Sequence, residues 1–258
     1  MLKRRLIPKL LIKNLKNKKS LVFFTSENFK KFKIVGDPVS QAKIYQSQRA
    51  DELIIFFCDK QTNIKNTENI ELIKKFSKEI FMPLTIGGGV KKISDFEFLL
   101  ETGADKVSVN SIIFERPKII NEAAKKFGSQ CVVVSIDFIQ EKKKIFIYNS
   151  KKKSFISIDL LSYIKKLVDL GAGELVLTDI NRDGKNSGLN IEVAKFVSEN
   201  LKIPVIISGG CYVAQDFIDC FKQTEVQGIS AGNFFSFKDQ NPFQTRSQIS
   251  NAGINIRI

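Results

Sequence analysis

Two aspartates stand where a carboxylate could do chemistry. Asp137 closes the run VVVSID, and Asp183 lies in N-R-D-G-K-N-S-G, Asn181 to Gly188. A carboxylate at the carboxyl end of a strand can act as general acid or base, although an Asp there can also cap the next helix. Asp59, after ELIIFFC, is a third candidate. Two glycine turns accompany the aspartates: Gly87-Gly88-Gly89 in PLTIGGGV and Ser208-Gly209-Gly210 in PVIISGGC. Glycine lets backbone approach a ligand closely, and N–H groups at a following helix start favour an anion. Asn110-Ser111 and Gly232-Asn233 complete two sets. The same glycines could simply make tight turns. Two sets at matching spacing fit a substrate carrying phosphate at both ends.

The elements that must hold these groups are readable from periodicity. RLIPKLL, ELIIFF, PLTIGGG, KVSVNS, VVVSID, ELVLTDI, PVIISGG and GISAGN read as short strands. Helix-length amphipathic stretches such as NIELIKKFSKEI, KIINEAAKKFG and LLSYIKKLVDL lie between them. Strict β–α alternation implies a parallel sheet, and eight units at this length imply one closed (βα)8 barrel over residues 1–258. An open doubly wound sheet is the alternative, but no glycine fingerprint follows strand one. The chain also repeats itself: ADELIIFF echoes AGELVLTD, PLTIGGGV echoes PVIISGGC, and KVSVNS echoes GISAGN. The offset is about 121 residues, so two half-barrels are expected, about 1–125 and 126–245, with a short C-terminal tail.

Composition bounds the chemistry. The chain has 258 residues, no histidine, four cysteines and a net charge of +14. Without histidine, Ser-His-Asp and Cys-His catalysis and His-containing metal sites are excluded. The cysteines show no metal spacing and fit reduced thiols in a cytoplasm. No apolar run approaches the roughly 18–20 residues of a membrane span. The positive charge suits anionic partners such as phosphates. The lysines are spread over many segments without an aromatic nucleic-acid module, which fits a solvated surface and no nucleic-acid partner. No metal and no cofactor are expected.

Four further charges sit near strand beginnings: Arg5, Glu52, Lys106 and Glu174. They belong to strands one, two, four and six and alternate in sign. Charges inside a barrel are costly unless paired, so a closed ring of ion pairs is expected. Ordinary solvated rim charges are the alternative.

Taken together, these residues resemble the HisF family, the cyclase subunit of imidazole glycerol phosphate synthase. GDP after the first loop, ADEL, IGGGV, ADKVSVNS, FGSQCVVVSID, LGAGELVLT, RDGKNSG and SGG fall in family order from RLIP to GNFF. The resemblance implies a (βα)8 barrel with one phosphate site from Gly88, Gly89, Asn110 and Ser111. It implies a second from Asp183, Gly184, Gly210, Gly232 and Asn233, and matches Asp137 to a catalytic aspartate. The charge ring corresponds to the family's ammonia gate, facing a HisH-like glutaminase.

The chain departs from the family at strand one. The family motif reads like C-L-D-V-K-D-G, whereas this chain has K-L-L-I-K-N, Lys9 to Asn14. Leu11 stands at the other catalytic aspartate, and the loop lysine falls on Phe23. Standard cyclase activity is therefore in doubt, with Asp59 the nearest carboxylate that could substitute. The P-x-L-L-x-K opening, Pro8 to Lys13, resembles the WbuZ-type branch linked to glycosyl amidation. That resemblance implies work beside a glutaminase and a sugar amidotransferase, forming an acetamidino group on a bacterial surface sugar. An active cyclase of histidine biosynthesis and a non-catalytic docking scaffold for the glutaminase are the alternatives.

Overall fold

A computed structural model describes residues 3–15, 20–59, 63–237 and 240–257. Residues 16–19, most of the lysine-rich loop expected after strand one, lie outside the described residues. Twelve strands and nine α-helices occur among those described. In chain order the strands are β1 (Arg5–Leu15), β2 (Ser20–Glu27), β3 (Lys31–Gly36), β4 (Leu53–Phe57), β5 (Leu84–Gly87) and β6 (Lys106–Val109), then β7 (Val132–Glu141), β8 (Lys144–Asn149), β9 (Ser154–Ile156), β10 (Glu174–Asp179), β11 (Val205–Ser208) and β12 (Gly228–Ala231). The helices are α1 (Pro38–Ser47), α2 (Thr67–Glu79), α3 (Ile93–Thr102), α4 (Lys118–Phe127), α5 (Leu160–Asp169), α6 (Ile191–Glu199), α7 (Ala214–Gln223), α8 (Asn233–Phe237) and α9 (Pro242–Asn251).

Eight of these strands close into a parallel barrel in the order β1, β4, β5, β6, β7, β10, β11, β12, with β12 pairing back to β1. The chain is therefore a (βα)8 barrel. Its strands are buried on both faces, as parallel strands covered by helices must be; every residue of β10 and β11 is buried. One face of each strand packs on the helices, in a core that includes Leu10, Ile12, Ile55 and Leu177. The other face fills the bore.

The ends of the helices show why the sequence folds locally as it does. Asp37, Asn66, Asp159 and Asn190 each accept a hydrogen bond from the third residue beyond, satisfying a backbone donor that a helix start leaves open. Asp95 accepts from the backbone of Lys91 and Lys92, and Asp216 does the same for Tyr212 and Val213. These two aspartates hold the turns after β5 and β11 in the same way, one in each repeat.

Two features differ from the expected plan. After β1 the chain makes an antiparallel extension, β2 and β3, and after β7 it makes another, β8 and β9. Neither extension is among the strands expected from the sequence: β3, exposed from Lys31 to Ile34, shows no alternation of buried and exposed residues. Within the segment expected as a tail, residues 246–251 form the second half of α9. Arg246 of α9 pairs with Asp51 at 3.0 Å, and Asp51 also accepts from Leu6 N at 2.7 Å. The chain then returns to β1 through an Arg4–Ile256 bridge.

Candidate active site

The bore is layered, because alternate residues of each strand face inward. At the strand beginnings Arg5 meets Glu52 at 2.8 Å and Glu174 at 2.5 Å. Lys106 meets Glu52 at 3.0 Å and Glu174 at 2.7 Å. The four residues form a closed ring, and Thr85 Oγ1 donates to Glu52 at 2.7 Å. Above the ring lies an apolar belt of Ile7, Ile54, Val133, Val176 and Ile206. The next residues along the inward pleat are Lys9, Ser108, Ser135, Thr178, Ser208 and Ser230, all buried. Above them is the mouth.

Asp137 stands at the mouth, on β7 opposite Thr178. Asn110 Nδ2 donates to its Oδ2 at 2.9 Å. Burial pushes the Asp137 carboxyl up to about 6, while the Asn110 hydrogen bond and the Lys9 charge pull it down and Asp183 pushes it up. A carboxyl in that range can both accept and return a proton near neutral pH. Asn110, placed with the phosphate set in the sequence, thus has its amide committed to Asp137. Its Oδ1 is buried without a hydrogen-bond partner. Ser111 Oγ lies 2.5 Å from Ser150 Oγ.

Asp183 is buried and faces the same mouth. The loop that carries it is held by Asp179, whose Oδ1 accepts from Asn181 N and whose Oδ2 accepts from Asn190 Nδ2. Asp183 accepts from Ser26 Oγ at 3.1 Å and pairs with Lys9 at 3.5 Å. Its carboxylate is therefore tied to protein groups, and an anion beside it needs a compensating cation. Gly88 and Gly209 take φ of 102° and 98°, where a side chain would be strained. A Cβ on Gly88 would lie 2.2 Å from Phe57 O, and one on Gly209 would lie 2.6 Å from Asp179 O. Both turns therefore need glycine for close backbone packing, whatever they bind. Gly89, Gly184 and Gly210 also take positive φ. Gly184, Gly210, Gly232 and Asn233 share one recess with Asp183, Ser208 and Lys9.

The structure places two residues named from the sequence near strand one. Phe23 does not face the mouth. It lies on β2 opposite Ile12, fully buried toward the helices, so it is not where a loop lysine could reach substrate. The residue facing inward is Phe24, opposite Leu11, and both line the recess. Asp59 accepts from the Asn14 backbone at 3.1 and 3.2 Å, so its carboxylate ties the ends of β1 and β4 together. Lys9, Ser208 and Ser230 also line the recess, and none of them carries a motif role in the sequence. The only signal for Lys9 was a lysine in the middle of an apolar strand, two residues before Leu11 and hence on the same face.

The fold and site define the class: a closed (βα)8 barrel with an ion-pair ring at one end of its interior and a perturbed carboxylate among glycine turns at the other. A family model described as histidine biosynthesis protein matches residues 5–241, and the chain belongs to that family. It is a HisF-like barrel. The imidazole glycerol phosphate synthase subunit HisF of Hydrogenobaculum sp. (strain Y04AAS1) is 38% identical over 259 residues, covering 100% of both chains. That of Lactococcus lactis subsp. cremoris (strain MG1363) is 39% identical over 261 residues, covering 100% of this chain and 98% of the relative. A putative imidazole glycerol phosphate synthase subunit hisF2 of Prochlorococcus marinus (strain MIT 9313) is 37% identical over 266 residues, covering 100% and 99%.

Proposed function

We propose that this chain is the ammonia-receiving barrel subunit of a glutamine-dependent synthase that acts on a phosphorylated small molecule. One observation carries the reading: the ion-pair ring and Asp137 occupy opposite ends of the same barrel interior, with the apolar belt between them. A HisH-like glutaminase would dock on the ring face and release ammonia into the bore. Two sets of glycine turns would hold the substrate's phosphates, one from Gly88, Gly89, Asn110 and Ser111, the other from Gly184, Gly210, Gly232 and Asn233. Asp137 would act as general base and acid.

The names of the relatives support imidazole glycerol phosphate formation in histidine biosynthesis as the reaction. The strand-one motif by itself points first to sugar amidation and second to this reaction. Sugar amidation beside a surface-sugar amidotransferase stands as the second reading, and the apolar pair Leu11 and Phe24 at the mouth favours it. An assay with ammonium salt and the substrate of the named synthase tests both without a glutaminase. Ammonia-dependent turnover supports the first. Its complete absence, in a chain that still forms a complex with the glutaminase, supports the second. Failure to bind any glutaminase at micromolar concentration would overturn both.

A further inference from the structure

Lys9 is the only lysine among the described residues that lies buried within the bore itself, with 4% of its surface exposed. It starts on β1, next to β12, and its Nζ donates to Ser208 Oγ on β11 at 2.9 Å. The side chain therefore reaches across β12. The inward hydroxyl of β12 there is Ser230, which is 0% exposed, and its Oγ has no hydrogen-bond partner. A buried hydroxyl without a partner costs stability unless something binds it. Lys9, Ser208 and Ser230 all line the same recess, together with Gly209, Gly210, Gly232 and Asn233. The recess has a volume of about 20 Å³, room for one water-sized polar group.

Charge points the same way. Asp137 and Asp183 both face this mouth, and two carboxylates would repel a dianionic phosphate placed on the glycine turns. Lys9, 3.5 Å from Asp183, offsets one of them. An ammonium has three donors; one goes to Ser208, Asp183 lies 3.5 Å away, and no further hydrogen bond of Lys9 Nζ occurs among the described residues.

Building on the reading that the mouth takes a phosphorylated substrate, we infer that Lys9 and Ser230 form the floor of the anion site beside β11 and β12. One phosphate oxygen enters the recess and accepts from both. The remaining oxygens face the glycine turns. Lys9 thereby sets the preference for a phosphomonoester dianion over a neutral sugar at this end of the substrate.

Isothermal titration of the full chain with inorganic phosphate at pH 8 tests this. Two phosphates per chain are expected for the wild type. Lys9→Met should weaken one of the two sites tenfold or more. Ser230→Ala should weaken the same site severalfold while leaving the melting temperature unchanged or raised, which a purely structural hydroxyl would not do. Because Lys9→Met leaves Asp183 buried without its cation, Lys9→Met/Asp183→Asn is measured beside it and should show the same loss. Two intact sites in both Lys9 variants would overturn the inference while leaving the anion reading of the glycine turns standing. No phosphate bound by the wild type would overturn both.

Discussion

Leu11 and Phe24 stand directly opposite each other across the β1–β2 ladder, and both side chains line the recess at the mouth. Directly opposed residues of an antiparallel pair share a face, so this edge of the site is walled by hydrocarbon. Neither residue can move a proton. Asp137, across the barrel on β7, is left as the carboxylate of the mouth that is not tied to a cation or a backbone amide.

With ammonium salt and the substrate of the named synthase, turnover is therefore expected to fall about 10²–10⁴-fold below that of a relative with a carboxylate at position 11, the usual worth of a placed acid or base. Leu11→Asp should recover part of it. Steady-state kinetics of both forms is the measurement, and wild-type rates equal to those of such a relative would show that the apolar wall is immaterial.

Phe23→Lys should not assist that recovery. Phe23 is fully buried on the helix side of β2, so a lysine there loses core packing and strands a charge, a change expected to cost about 3–5 kcal/mol. Urea unfolding of the single variant would reveal the loss.

Asp137 should impose a pH dependence. Its carboxyl is raised from the ordinary aspartate value to about 6, so the catalytic base form is lost below that pH and rates should rise through pH 6. The same shift acts on stability with the opposite sense. A carboxyl raised on folding is favourable to the fold while protonated, and that contribution is lost as pH climbs from about 4 through 6. Asp137→Asn should therefore melt higher than wild type at pH 8, with the gap narrowing below pH 6 and closing near pH 4. Asn110→Ala removes a hydrogen bond that lowers the carboxyl, and should move the acid limb of the rate profile upward.

The ring at the strand beginnings should be intolerant of single deletions. Glu52 and Glu174 are almost wholly buried, with side chains 3% and 6% exposed. Removing one leaves Arg5 and Lys106 sharing a single carboxylate, and breaking a buried pair this way typically costs about 3–5 kcal/mol. Glu52→Gln should thus destabilise strongly in chemical denaturation. If the ring also admits ammonia, the variant should lose glutamine-driven turnover more than ammonium-driven turnover; equal loss would confine the ring to a structural role.

Gly88→Ala and Gly209→Ala should damage the two repeats alike. Each glycine has a φ near 100°, and an added Cβ would press on a strand-end carbonyl within 2.2 and 2.6 Å respectively. Losses of at least about 1–3 kcal/mol are expected, read from melting curves. A neutral substitution at either position would mean that the turn can relax.

The barrel was legible in the sequence because its signals are local. Strand and helix periods recur in alternation, and glycine pairs mark the turns after β5 and β11. The repeat of these patterns half a chain apart reports two equivalent halves without any contact being known. The charges of the ring could be named from their places at strand beginnings. The extensions β2–β3 and β8–β9 were not legible, because a ribbon at the rim is exposed along much of its outer strand, as β3 and β9 are, so its pattern merges with that of a loop. The inner site was beyond the sequence for a different reason. Lys9 and Ser208 are 199 residues apart, and only closure of the sheet brings their strands within one strand of each other. Which of Phe23 and Phe24 faces the mouth depended on a one-residue register between β1 and β2, since a shift by one turns every side chain to the other face. Composition and spacing named the groups capable of chemistry; the pleat and the closure of the barrel decided which of them meet.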